Sequence, residues 1–136
     1  MKKFFPLILS IAFGISGFLY FNNSNVYNFK VEKVHIYTYE NYKSKSPSPT
    51  ILLNKKELIN ILVNTINSSN KIQDTLNLTS PNYVVDILYS KKKKDTFYLW
   101  ISDNSNSGIY VNAKDTSKGY AILKDDTSKL KTLLYR

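Results

Sequence analysis

Between Tyr83 and Ala113 the chain reads YVVDILY, TFYLWIS and IYVNA, three short segments crowded with β-branched and aromatic residues. Such residues suit a pleated, half-buried surface. Turn-forming stretches separate them. Pro81, Asp103 to Gly108 and Asp115 to Gly119 supply the breaks. Neighbouring strands joined by short turns pair antiparallel, because a parallel pair needs a crossover of a dozen or more residues. Tyr120 to Leu123 (YAIL) reads as a short last strand, and Phe29 to Tyr39 (FKVEKVHIYTY) as a first one. In that first strand Phe29 and Val31 share one face while Val34 and Ile36 share the other. The switch points to a bulge or to cover on both sides.

Two helices complete the pattern. In LNKKELINILVNTINSS, Asn54 and Glu57 have capping-box spacing, with Leu53 and Leu58 at the staple positions. Leu58, Ile59, Leu62, Val63 and Ile66 recur at helical spacing and give one apolar face. Asp125 or Asp126 is placed to cap a final helix carrying Leu130, Leu133 and Leu134. Glu40 to Thr50, with Pro47 and Pro49, reads as a loop. The expected fold is α+β, with an antiparallel sheet of about four to five strands in β-α-β-β-β-α order and helices packed on it.

The N-terminus reads as an address. After Lys2 and Lys3, the run Phe4 to Phe21 is apolar for 18 residues, which as a helix spans about 27 Å, close to a hydrocarbon core of about 30 Å. The two lysines put the N-terminus in the cytoplasm and residues 22–136 outside. A cleaved signal peptide is the other reading, with small residues at Gly14-Ile15-Ser16. Cleavage there leaves Phe18-Leu19-Tyr20-Phe21 on a soluble chain, which favours an anchor. Either way the chain is exported. The expected organisation is a segment over 1–21, a polar spacer over 22–28 and a domain over 29–136.

The pieces SPNYVVDILY, FYLWIS and SGIYVNAKDTSKGYAIL, with a closing pair of leucines, resemble the YhfM-like domain of small exported Bacillus-type (Gram-positive) proteins. The resemblance runs from about Phe29 to the C-terminus. Its distinctive pieces are Pro81 with Tyr83 and the strand Leu99-Trp100-Ile101. It implies a fold and a location, and it supplies no catalytic residue. Similar proteins are often held by a lipidated N-terminal cysteine. This chain has no cysteine, so a membrane attachment must use its apolar segment. The same lack rules out disulfides, thiolate zinc sites and cysteine nucleophiles.

Net charge is +9, from 18 lysines and one arginine, Arg136. A balance built on lysine favours diffuse attraction to polyanions over bidentate base readout, and with export it argues against nucleic acid as partner. Lys91 to Lys94 form the tip of a hairpin and are the candidate polyanion contact. No catalytic, cofactor or metal motif is present. The lone histidine, His35, lies mid-strand, and Asp86 is expected to face solvent. Read by alternation, the odd-numbered Val85, Ile87, Phe97, Leu99 and Ile101 meet the helix. The even-numbered Tyr98, Trp100, Tyr110 and Asn112 then form the candidate partner-binding face. The expected function is a small non-catalytic interaction domain at the bacterial cell surface. The sequence does not name its partner; an envelope protein or an anionic wall polymer is the candidate. The alternatives are a small extracytoplasmic enzyme with an unrecognised site and an electrostatic binder of anionic wall polymers or lipids.

Overall fold

The computed structural model describes Val26, residues 30–74 and residues 76–135. The proposed anchor and most of the spacer lie outside the described residues. Among those described, no helix is long and apolar enough to cross a membrane.

The architecture is α+β: one antiparallel sheet with two helices on one face. The strands are β1 (Val31–Thr38), β2 (Ile51–Leu53), β3 (Asn70–Lys71), β4 (Tyr83–Tyr89), β5 (Lys94–Trp100), β6 (Gly108–Asn112) and β7 (Asp115–Ile122). Their order across the sheet is β2-β1-β4-β5-β6-β7-β3. Among the described residues, seven strands replace the expected four or five. The two additions, β2 and β3, are three and two residues long, too short to show an alternation. They sit at the two edges and cap them, which limits edge-to-edge pairing with other chains.

The bulge foreseen in β1 is present. Register shifts between Val31 and Lys33, so that Val31, Val34 and Ile36 all pack into one core. A one-turn helix, α1 (Tyr39–Tyr42), follows where a loop was expected, capped by Thr38 Oγ1 accepting from Asn41 N at 3.3 Å. Tyr42 then packs edge-on against Tyr37 at 5.2 Å, on the sheet face opposite the long helices.

The long helices are α2 (Lys56–Asn67) and α3 (Lys124–Leu134). The apolar stripe of α2 is the expected one, with Ile59, Leu62, Val63 and Ile66 buried. Its cap is not. Lys55 takes the N-cap position without a side-chain bond, because Leu53 is drawn into β2 and the chain enters the helix one residue later than the Asn54 spacing implied. In α3, Leu123 is the N-cap residue and accepts from Thr127 N, while Asp125 and Asp126 lie in the first turn. There they favour the positive end of the helix dipole. Leu130, Leu133 and Leu134 are buried against the sheet and α2. Truncating Leu130 or Leu133 to alanine would cost about 2–5 kcal/mol, as large buried aliphatics do.

The opposite face carries a second layer. The crossover from Ile72 to Asn82 runs over it, with Leu76 above Gly119 and Thr79 O accepting from the Trp100 indole N–H at 2.8 Å. Val84 and Val111 are buried on this face although they lie outside the main core.

Candidate binding site

Sheet register decides which side chains meet. Between β4 and β5 partners have equal parity, Val84 with Tyr98 and Val85 with Phe97. Between β5 and β6 parity flips: Leu99 pairs with Tyr110, and Trp100 with Ile109. The four residues read as one face are therefore divided. Tyr98 and Trp100 lie on the face opposite the long helices. Tyr110 and Asn112 lie on the helix side. The loop from Ile101 to Ser107 sets the parity of β6, and alternation carries no information across a loop.

On the helix side, Tyr110 and Asn112 help line a cleft of about 350 Å3 with Phe97, Lys114, Lys118 and Tyr120. It opens where the β6–β7 hairpin turns. Phe97 meets Tyr110 edge-on at 5.6 Å, and Tyr110 stacks on Tyr120 at 5.0 Å. Both geometries are the ones aromatic quadrupoles favour. Tyr110 is held from above: its hydroxyl donates to Ile66 O at 2.9 Å and accepts from Ser69 Oγ at 2.8 Å. Burial pushes its phenol pKa upward, so the ring stays neutral at any physiological pH. The C-terminal end of α2 thereby fixes the cleft floor.

The rim is charged. Lys118 Nζ lies 3.5 Å from Asp115, and Lys114 Nζ lies 3.5 Å from Asp95. These exposed pairs hold little energy, so either ammonium can turn to a ligand. A hydrogen bond from the Ser117 hydroxyl lowers the pKa of Asp115. Asn112 Oδ1 accepts from Lys114 N at 2.9 Å and closes the turn.

Lys91, Lys92 and Lys93 are exposed at the β4–β5 tip. Lys94 departs from them: it lies in β5 with its Nζ 3.8 Å from Asp86. Asp95 joins tip to cleft, accepting from Tyr89 Oη at 2.9 Å while facing Lys114. Asp86 does not face solvent. It is 4% exposed and accepts from Thr96 Oγ1 at 2.7 Å. Thr96 and Lys94 compensate the buried carboxylate, as burial of a charge requires. His35 stands opposite Asp86 in register, partly exposed. Its pKa is lowered, first by desolvation and then by Lys33, with Asp86 opposing.

Sequence reasoning missed Phe97, Tyr120, Lys114 and Lys118 as members of one cleft. Asp115 to Gly119 read as a turn, whereas β7 begins at Asp115 and brings Tyr120 opposite Tyr110. Polar spacing hid an edge-proximal strand whose first residues are exposed.

The sequence matches the family model of the YhfM protein over residues 19–136. The chain belongs to the YhfM family. A comparison with curated proteins gives no match. Among solved structures, this YhfM chain is similar to a thioesterase-like protein from Clostridium sporogenes. The two share 14% sequence identity at a TM-score of 0.55, over 76% of this chain and 94% of the other. At that identity the likeness concerns the fold alone.

Proposed function

We propose that this YhfM chain is a non-catalytic interaction domain held outside the bacterial membrane by residues 4–21. Its contact surface runs from the lysine tip, across Asp95, into the aromatic cleft. The observation that carries this reading is the cleft itself: a fixed aromatic floor of Phe97, Tyr110 and Tyr120 beside a lysine rim. Tyrosine anchors held in a pocket are what binding hot spots are enriched in. Lysines on the tip and rim steer an acidic partner, a wall polymer or an acidic patch of an envelope protein, with a rate that falls as salt rises. The test is binding of the full chain to polyglycerol phosphate. Replacing Lys91, Lys92 and Lys93 by serine weakens binding at low salt, and Tyr120→Ala weakens it at all salt concentrations. Unchanged binding in both variants contradicts the reading.

A second reading is a small extracytoplasmic enzyme. The thioesterase-like name of the structural neighbour favours it, as does the register of His35 opposite Asp86. A hydrolytic centre needs a base within hydrogen-bond reach of its reacting proton. Turnover of an acyl thioester that disappears in both His35→Ala and Asp86→Asn would establish this reading in place of the first.

A further inference from the structure

A second concavity has a different chemistry. At the far end of β5, a groove of about 250 Å3 is lined by Trp100, Asn82, Ser102, Ser105 and Ser107 over a floor at Gly108. Among the described residues no charged side chain lines it, in a chain with 18 lysines. Its walls are one indole, one carboxamide and three hydroxyls, with Ile101 and Ile109 beside them.

These groups are held in place. The indole N–H of Trp100 donates to Thr79 O at 2.8 Å, which fixes the ring plane while leaving the side chain only partly buried. Asn82 Oδ1 accepts from Ile101 N at 2.7 Å, so its amide nitrogen carries the two remaining donors. Ser105 Oγ donates to Ser107 O at 2.7 Å and accepts from Ser107 N at 3.1 Å. Lys131 Nζ, reaching from α3, donates to Asp103 O and Ser105 O and braces the same loop. At position 108 a Cβ would lie 3.2 Å from Ile122 Cδ1 and 3.3 Å from Trp100 O, so glycine lets the backbone at the end of the groove pack closely against the core.

We infer that this groove binds a neutral sugar chain, one or two pyranose units at a time. A pyranose ring presents an apolar C–H face and an equatorial rim of hydroxyls. The first stacks on an indole, whose apolar body and fixed polar edge suit a half-wet surface. The second exchanges hydrogen bonds with amide and hydroxyl groups that act as both donor and acceptor. The described lining holds no ammonium group, so it offers hydrogen bonds and an indole rather than charge to a ligand. The volume lies just under the lower end, about 300 Å3, for sites that enclose drug-sized ligands. An open groove of that size holds part of a chain.

The single tryptophan makes the site self-reporting. The full chain, 15N-labelled in detergent micelles, shows one indole N–H resonance. It is titrated with an N-acetylglucosamine tetramer and, separately, with a glucose tetramer. The expected result is a saturable shift of that resonance in the millimolar range, with the rest of the spectrum in place. A shift with the first sugar alone identifies an acetamido glycan as the source, and a shift with both identifies neutral pyranose chains in general. Ser107→Phe fills the groove from an exposed position and leaves Trp100 as reporter, so binding falls at least tenfold. The inference is overturned if neither sugar moves the resonance. It is also overturned if Ser107→Phe binds like the parent, or if polyglycerol phosphate shifts the indole more strongly than either sugar. These outcomes are independent of the lysine tip and the aromatic cleft, which lie at the other end of β5.

Discussion

Leu76 lies directly over Gly119, so that a Cβ added to Gly119 would overlap Leu76 Cδ1. This contact seats the crossover from Ile72 to Asn82 on the sheet face opposite the long helices. It therefore shapes both the cover over Val111 and the approach to Trp100. Gly119→Ala should destabilise the domain by about 1 kcal/mol, the low end of the cost of extra volume in a contact, because the half-buried Leu76 side chain can turn partly aside. Leu76→Ala in the same chain should recover part of that loss, since the two residues share one contact. Urea midpoints of the single and double variants check this. Strict additivity would show that the crossover is not seated on Gly119.

The lysine tip stores strain. Lys91 and Lys92 both sit in the left-handed region, with φ of 64° and 62°. The three-residue loop from Ser90 to Lys92, closed by Tyr89 N donating to Lys93 O at 2.8 Å, holds both there, and Asn and Gly are the residues that adopt that region most readily. Each lysine pays roughly 1 kcal/mol for its Cβ there. Lys91→Asn with Lys92→Gly should raise stability by about 1–2 kcal/mol, read as a higher urea midpoint at unchanged slope. The same variant should weaken polyglycerol phosphate binding, because it removes two charges from the tip.

Alkaline pH should unfold the protein cooperatively. Burial, and then the Tyr135 hydroxyl, raises the pKa of Tyr83 to about 12. Burial also raises Tyr89, with the Asp95 carboxylate adding to it, and it raises Tyr110. An unfolded tyrosine ionises near pH 10. The native state thus holds these protons more tightly than the unfolded chain. Their contribution to stability is complete below about pH 10 and is lost as pH climbs through the folded values. Denaturation midpoints should stay level from about pH 8 to pH 10 and then fall. Tyr89→Phe should make the fall shallower.

His35 offers a clean titration, as the one histidine of the chain. Desolvation and Lys33 lower its pKa while Asp86 raises it. Its proton NMR midpoint should lie below the ordinary value of about 6.5. Asp86→Asn should move it lower still, and Lys33→Ala should move it up. Between the folded midpoint and 6.5 the unfolded chain binds more proton, so this site favours folding above that window and opposes it as pH falls through it. A midpoint above 6.5 would place His35 in direct partnership with Asp86 and strengthen the enzymatic reading.

Much of this organisation was legible in the chain. Strands β4, β5 and β6 and the apolar stripe of α2 announced themselves through composition and period, and the odd-numbered face of β4 and β5 was read correctly. Two things were not. Edge strands of two or three residues carry too few positions for a period. The pairing of Tyr110 with Tyr120 depended on β7 starting at Asp115, within a polar stretch that looks like a turn. Asp86 was hidden for a related reason. Its carboxylate is covered by Thr96 and Lys94, which come from the neighbouring strand, so nothing local to VVDIL reveals the burial.

The central claim is that the domain stands outside the membrane on its own N-terminal anchor. The chain has no cysteine, so one introduced at Ser128, exposed on α3, is its sole thiol. Full-length Ser128→Cys, expressed in a Gram-positive host, is treated on intact cells with a membrane-impermeant maleimide. Labelled protein recovered in the membrane pellet, and released from it when residues 2–21 are deleted, is the predicted result. Labelling that appears only after the cells are lysed would contradict it.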